Sequence, residues 1–253
     1  MGSQTRIGDK MRISRARALL SSRKSGITGL IYGASGTGKS WLVAKCDNPV
    51  IISIEKNGIA SIGHSNPDAI IIEVDNADEL FEVILDASDG KIDVMEGDKL
   101  VDQIEFSTLI IDSLTEAQRL IKDRLLMKNN RSEMILKDWG TLTNQMERFV
   151  RHLRDLPVTV ICTALVDYYD EESTGLRHCQ PMFDGKKIKQ GIAQYFNFVA
   201  FYFKSKNKSG ASERSLMFDG PQKVLCKSVH PVTGVIVNPD LSEIITNIQT
   251  IEE

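Results

Sequence analysis

The chain has 253 residues, of which 42% are hydrophobic and 26% charged, and its formal net charge is −3. This composition is that of a folded globular protein and excludes intrinsic disorder and collagen-like repeats. Four widely spaced cysteines without a CxxC pair exclude a local zinc knuckle and favour thiols in a reducing compartment. Because no apolar run approaches about 18 residues and no signal peptide is evident, the sequence predicts a cytoplasmic protein without membrane contact.

The first two thirds of the chain alternate between strand and helix patterns. A basic N-terminal segment (residues 1–25), with a short helix over 11–24, precedes a single domain over 26–253. Short β-branched apolar runs predict buried strands at 27–32, 50–55, 69–74, 107–112 and 158–164. Helical spacing predicts helices at 39–46, 76–88, 115–129 and 134–155. This alternation predicts an α/β fold with a mostly parallel, doubly wound sheet.

The pattern changes after residue 164. Residues 165–190 are predicted to form a long polar loop, acidic at its start and rich in lysine at its end. Three consecutive strands follow, predicted at 196–204, 214–219 and 222–229, and short polar turns favour antiparallel pairing. A last amphipathic helix is predicted over 240–251. The parallel sheet is therefore expected to be extended by antiparallel strands near the C-terminus.

One segment carries a specific chemical signature, because residues 33–40 match GxxxxGK[ST] in full. The match follows a predicted strand and opens a predicted helix, which is the context that a phosphate-binding loop requires. Backbone N–H groups of such a loop surround phosphate oxygens, its lysine reaches the β- and γ-phosphates, and its serine ligates Mg²⁺. The predicted nucleotide-binding residues are Gly33, Ala34, Ser35, Gly36, Thr37, Gly38, Lys39 and Ser40.

Two carboxylates are placed to complete a hydrolytic site. Asp112 ends the run STLIID, where a carboxylate is expected to hold the metal together with Ser40. Glu55 ends the run VIISIE and is the candidate for activating the attacking water. No guanine-recognition motif is evident, since Asn207-Lys208 is followed by Ser-Gly. ATP and Mg²⁺ are therefore the expected nucleotide and cofactor.

These motifs together resemble the RecA-type P-loop ATPase core. The segments SIEKNG, IIDSLTEA, LRDLPVTVICTA and Pro181 to Lys187 resemble most the compact RecA-like nucleotide-binding proteins of bacteriophages, over about residues 26–240. Some members of that group act in single-strand annealing and recombination. The resemblance implies a DNA-stimulated ATPase that coats or anneals single strands, assembles as a homo-oligomeric ring or filament, and works with a single-strand-binding protein.

The resemblance also implies roles for basic residues late in the chain. The segment after the strand at 158–164 is expected to contact DNA phosphates through Arg177, Lys186, Lys187 and Lys189. Tyr168 and Tyr169 are candidates for base stacking or for packing at a strand end. Lys227 lies where relatives place a basic residue that reaches a neighbouring subunit's γ-phosphate, although Val229 stands where a second basic residue is often found.

Three other functions remain open on the sequence. The chain is alternatively an ATP-switched DNA-annealing module with little turnover, a P-loop small-molecule kinase, or a motor subunit. A kinase usually closes an arginine-rich lid over its acceptor, whereas the segment after residue 164 is rich in lysine. A motor needs an accessory domain, and the sequence offers no obvious candidate.

Overall fold

The computed structural model describes residues 5–7, 11–13, 26–96, 99–171 and 175–252. Its strands are β1 (Thr5–Ile7), β2 (Met11–Ile13), β3 (Thr28–Gly33), β4 (Pro49–Ser53), β5 (Ile70–Glu73), β6 (Lys91–Glu96), β7 (Lys99–Glu105), β8 (Thr108–Asp112), β9 (Thr159–Asp170), β10 (Arg177–Pro181), β11 (Phe198–Lys206), β12 (Ser212–Met217), β13 (Lys227–Ser228) and β14 (Val235–Val237). Its α-helices are α1 (Lys39–Val43), α2 (Ile59–Ser65), α3 (Ala77–Asp86), α4 (Leu114–Lys128), α5 (Leu136–Asp155), α6 (Lys186–Gly191) and α7 (Leu241–Glu252). Short 3-10 helices lie at Lys56–Gly58, Ala87–Asp89 and Ile192–Tyr195.

The main sheet confirms the predicted α/β fold. Its strands follow the order β14-β12-β11-β3-β9-β8-β4-β5, and β10 and β13 pair with β9 and β11. The six strands from β11 to β5 in that order pair in parallel. Strands β10, β12, β13 and β14 pair antiparallel with their neighbours. The sheet is thus a parallel core with an antiparallel extension.

Two apolar cores cover the two faces of the sheet. Successive residues of a strand point to opposite faces, so Leu30 lies in one core and Ile31 in the other. Helices α3, α4 and α5 pack on the larger core, and α1, α2 and α7 pack on the smaller one. Strands β3, β4 and β8 are therefore buried on both faces, which explains their continuous apolar runs.

The predicted polar loop at 165–190 is wrong. Strand β9 continues to Asp170 and pairs with β10, and helix α6 follows. Hydrogen bonding along this hairpin satisfies backbone groups that a long loop would leave to water. The lysine-rich end of the segment is therefore helical and held in place.

Other element predictions were partly wrong. The strand predicted at 222–229 is reduced to β13, and the hairpin β6–β7 and strand β14 were not predicted. Residues 11–13 form a strand paired with β1, whereas a helix was predicted over 11–24. The rest of that helix prediction lies outside the described residues, as does most of the segment 1–25. No helix within the described ranges is long and apolar enough to cross a membrane.

Candidate active site

Several segments that are distant in the sequence meet at one edge of the sheet. Strands β3, β4 and β8 run parallel and end there at Gly33, Ser53 and Asp112. Strand β9 lies between β3 and β8. In open α/β sheets the carboxyl ends of the strands form the ligand-binding edge. The predicted phosphate loop and the predicted metal carboxylate therefore lie at the same edge.

The phosphate loop has a backbone that needs glycine. Gly36 and Gly38 have φ angles of 72° and 96°, a region that glycine adopts without strain. The hydroxyl and the N–H of Thr37 both donate to the carbonyl of Ala34, at 2.9 and 3.3 Å. A Cβ at Gly33 would lie 2.2 Å from the carbonyl oxygen of Tyr202. The loop is thus a tight turn packed against β11.

The side chain of Lys39 is buried inside this loop. Its ammonium donates to the carbonyls of Gly33 and Ala34, at 3.0 and 3.1 Å. Burial lowers the pKa of Lys39, and the nearby carboxylates of Asp112 and Glu55 oppose that shift. The ammonium therefore lies where the loop can surround a phosphate group, within reach of both predicted carboxylates.

Asp112 is buried with only half of its carboxylate satisfied. Its Oδ1 accepts a hydrogen bond from the hydroxyl of Thr163 on β9. Its Oδ2 is buried and has no hydrogen-bond partner among the described residues. A buried carboxylate oxygen without a partner costs free energy unless a cation or donor reaches it. This atom is therefore the natural contact for a metal ion or its water.

Gly58 leaves open the space between Asp112 and Ser40. A Cβ at Gly58 would lie 3.1 Å from Oδ2 of Asp112 and 3.5 Å from Oγ of Ser40. A hydroxyl and a carboxylate facing one small space suit Mg²⁺, which prefers oxygen ligands and keeps several waters. Within the described residues, no three His, Cys, Asp or Glu side chains cluster to hold a metal. Mg²⁺ would therefore depend on phosphate oxygens as well.

Glu55 lies beside Asp112, and its side chain is held by Ser113, the residue that follows Asp112. The backbone N–H groups of Ile54 and Glu55 donate to the carbonyl of Asp112, at 2.9 and 3.4 Å. The hydroxyl of Ser113 donates to Oε1 of Glu55 at 2.9 Å. The same hydroxyl accepts from the backbone N–H of Glu116 at the start of α4. One carboxylate oxygen of Glu55 is thus fixed by the residue that follows Asp112.

The predictions from sequence missed three residues that shape this site. Gly58, Ser113 and Thr163 touch Asp112 or Glu55, yet none belongs to the phosphate-loop motif. The pattern Ser113-x-x-Glu116 is a helix-capping signal, and it marks the start of α4 without revealing the contact with Glu55. Thr163 has no local signal, because its role arises from the pairing of β9 beside β8.

Lys227 occupies a position inside its own chain. Its ammonium donates to the carbonyls of Phe196, Ala193 and Gln194, at 2.8, 3.2 and 3.3 Å. Burial lowers the pKa of this lysine. These contacts close the end of the 3-10 helix at Ile192–Tyr195, so the structure gives Lys227 a structural role. Its action on a neighbouring subunit stays a prediction.

The four residues predicted to contact DNA lie on two neighbouring elements. Arg177 is exposed at the start of β10, where its guanidinium lies 4.8 Å from the ring centre of Tyr168. Lys186 and Lys187 are exposed in the first turn of α6. Lys189 is half-buried and forms an ion pair of 2.7 Å with Asp167 on β9. Three of the four cations are thus exposed, and the fourth holds α6 against the hairpin.

The comparisons identify the family of the chain. The model of the family described as an AAA domain matches residues 25–230, most of the chain, and the chain belongs to that family. A solved structure of a prototypical ATPase from the type III secretion system of pathogenic bacteria matches with a TM-score of 0.43 and 15% identity. That match covers 73% of this chain and 53% of the other chain, so this chain spans about half the length of that ATPase. No curated protein matches the chain. Membership of this family supports nucleotide binding, typically with Mg²⁺, and ATPase activity in general.

Replacing Asp112 with Asn is expected to remove most of the effect of Mg²⁺ on nucleotide affinity. Neutralising the unpartnered Oδ2 removes the charge that would attract the ion, while the phosphate loop is unchanged. The measured quantity is the ratio of nucleotide affinity with Mg²⁺ to nucleotide affinity without it. We expect this ratio to be about tenfold smaller in the variant than in the wild type, which corresponds to about 1.4 kcal/mol. Titration of a fluorescent ATP analogue with Mg²⁺ and with EDTA measures this. Equal losses under both conditions would contradict the metal role.

Replacing Gly58 with Ala is expected to weaken Mg²⁺-dependent binding of the same analogue by about tenfold, or about 1.4 kcal/mol. The added methyl would fill the space between Asp112 and Ser40. The backbone of Gly58 is helical, with φ −71°, so alanine is tolerated and the melting temperature should not fall. Gly63→Ala is the matched control, because a Cβ there meets nothing within 4 Å. If both variants bind like the wild type, this space is not part of the site.

Proposed function

We propose that this AAA-domain ATPase is stimulated by single-stranded DNA and coats or anneals single strands in phage recombination or replication. The observation that carries the proposal is a set of hydrogen bonds joining the DNA-contact segment to the start of α4. That helix begins two residues after Asp112, so a change at the metal site and a change at the DNA segment act on the same element.

The joining contacts involve buried side chains of α4. The hydroxyl of Thr115 donates to the carbonyl of Met182 and accepts from the N–H of Leu165, at 3.2 and 3.0 Å. The amide of Gln118 donates to the carbonyl of Asp184 and accepts from its N–H, at 2.9 and 2.6 Å. Buried networks of this kind are costly to break in part. The segment between β10 and α6 is therefore tied to α4, and we expect the two to move together.

The chemistry assigned to the site follows from its geometry. Lys39 would neutralise charge on the β- and γ-phosphates, and Ser40 and Asp112 would hold Mg²⁺. When bound, the ion screens phosphate charge and stabilises the charge that develops during transfer. Glu55 would accept a proton from the attacking water through the oxygen that Ser113 does not bind. The other carboxylate oxygen keeps the side chain in position.

The hairpin β9–β10 and helix α6 offer a surface suited to single strands. Tyr168 and Tyr169 are each 46% exposed, and Tyr169 stacks on His178 with ring centres 5.0 Å apart. Aromatic rings stack with any base, and exposed cations pair with backbone phosphates. Phe183 is buried in the larger core and anchors the segment that carries Lys186 and Lys187. Lys186 and Lys187 are thus carried by a segment that is anchored to the core.

A second candidate function is an ATP-switched annealing module with little turnover. The hydrogen bond from Ser113 to Glu55 favours it, because one carboxylate oxygen is already engaged by the protein and only the other is left to bind an attacking water. In that case ATP binding would set the position of α4 and of the DNA segment without frequent hydrolysis. Assembly as a ring or filament, a single-strand-binding partner and a cytoplasmic location are further parts of the proposal, supported by the resemblance and the composition.

Replacing Glu55 with Gln separates the two candidates. Because Glu55 is the group expected to activate water, the variant should turn over ATP about 10²- to 10⁴-fold more slowly than the wild type. Its nucleotide affinity should change little. Glu73→Gln at the end of the neighbouring strand β5 is the matched control, since that side chain is exposed. Turnover that stays at the wild-type rate would refute the role of Glu55. If the Glu55→Gln variant loses turnover but still anneals single strands, the ATP-switched annealing module is favoured.

Replacing Lys186 and Lys187 together with Ala is expected to weaken single-strand binding and to lower its salt dependence. Each neutralised phosphate contributes about −0.7 to the slope of log K against log salt, so the slope should become less steep by about 1.4. Lys189 is left intact because of its ion pair with Asp167. The control variant Lys206→Ala/Lys208→Ala removes the same charge elsewhere. An unchanged slope in the first variant would place the DNA site on another surface.

A further inference from the structure

Two basic side chains of the β11–β12 hairpin contact the phosphate loop, although no sequence motif marks either of them. The ammonium of Lys204 on β11 donates to the carbonyl of Gly36 at 2.6 Å. The Nε of Arg214 on β12 donates to the carbonyl of Thr37 at 2.9 Å. The two residues are direct partners in the β11–β12 register. They therefore approach neighbouring peptide groups of the loop as one unit.

The hairpin that carries these residues is held in register at both of its sides. In the turn, the side-chain oxygen of Asn207 accepts from the N–H groups of Ser209 and Ala211, at 3.0 and 2.9 Å. On the outer side, the N–H of Asn238 donates to the carbonyl of Arg214 at 2.7 Å. These bonds fix the position of Arg214 along the sheet. The strands that carry Lys204 and Arg214 are thus held in a fixed register beside the loop.

The hairpin also lies close to the loop at two glycines. A Cβ at Gly38 would lie 3.1 Å from Nε of Arg214, and a Cβ at Gly33 would meet the carbonyl of Tyr202. The β11–β12 hairpin therefore packs along the outer side of the loop, from its first residue to the start of α1. Such close packing leaves the loop backbone little room to change shape on that side.

The direction of these hydrogen bonds determines where the loop N–H groups point. In a trans peptide the C=O and the next N–H point in opposite directions. A donor that holds the carbonyl of Thr37 on the outside therefore directs the N–H of Gly38 to the inside, where a phosphate would bind. We infer that Arg214 and Lys204 are positioning residues that hold the phosphate loop of their own chain in its nucleotide-binding shape.

This inference rests on nucleotide binding by the loop and not on the DNA-binding part of the proposed function. It predicts that Arg214→Ala lowers the affinity for a fluorescent, non-hydrolysable ATP analogue about tenfold, and Lys204→Ala about threefold. Lys206→Ala is the control, because Lys206 lies on the same strand and its side chain has no hydrogen bond or ion pair within the described ranges. Melting without nucleotide should be similar for all variants, since the substituted side chains are exposed.

Arg214→Gln distinguishes positioning from simple attraction between charges. The amide nitrogen of Gln is the same number of bonds from the backbone as the Nε of Arg, so it keeps a donor there without the charge. We expect this variant to bind within about threefold of the wild type. A Gln variant as weak as the Ala variant, or an Ala variant as tight as the Lys206→Ala control, would overturn the inference. Because the assay contains no DNA, failure of DNA stimulation would leave this result unchanged.

Discussion

Two oppositely charged side chains, Lys39 and Asp112, are buried at the carboxyl edge of the sheet, and the neighbouring structure compensates the charge of Lys39 and only part of that of Asp112. An uncompensated buried charge costs several kcal/mol, so each needs fixed polar partners. Lys39 has two loop carbonyls and Asp112 has the hydroxyl of Thr163. One carboxylate oxygen is left over, beside the space that Gly58 keeps open. The free energy lost there would be recovered on binding of a cation and phosphate groups.

The elements around this site that the sequence predicted correctly are those encoded within one short segment. The loop from Gly33 to Ser40 follows an apolar strand and opens a helix, and both neighbours were evident from the same stretch of chain. The end of β8 at Asp112 was predicted because a β-branched run buried on both faces is hard to mistake. The assigned roles of Lys39, Asp112 and Glu55 stay predictions, although the structure brings the three side chains together.

The parts that were missed arise from contacts between distant segments. Gly58, Thr163, Lys204 and Arg214 reach the site only because β4, β9, β11 and β12 take particular places in the sheet, and no local pattern encodes those places. The error at 165–190 has a different cause. Acidic residues in β9 suggested a loop, yet the strand extends beyond its pairing with β3 and continues as a hairpin with β10. Hairpin β6–β7 was missed because β7 is exposed on both faces and carries no apolar alternation.

We propose that nucleotide turnover at this edge is coupled, through α4, to single-stranded DNA on the neighbouring hairpin and helix α6. Steady-state ATP turnover by the whole chain with Mg²⁺, measured with and without single-stranded DNA, tests that claim most directly. The account predicts a low basal rate, a severalfold increase on adding single strands, and a smaller increase with duplex DNA. Turnover that is the same with and without DNA would contradict it.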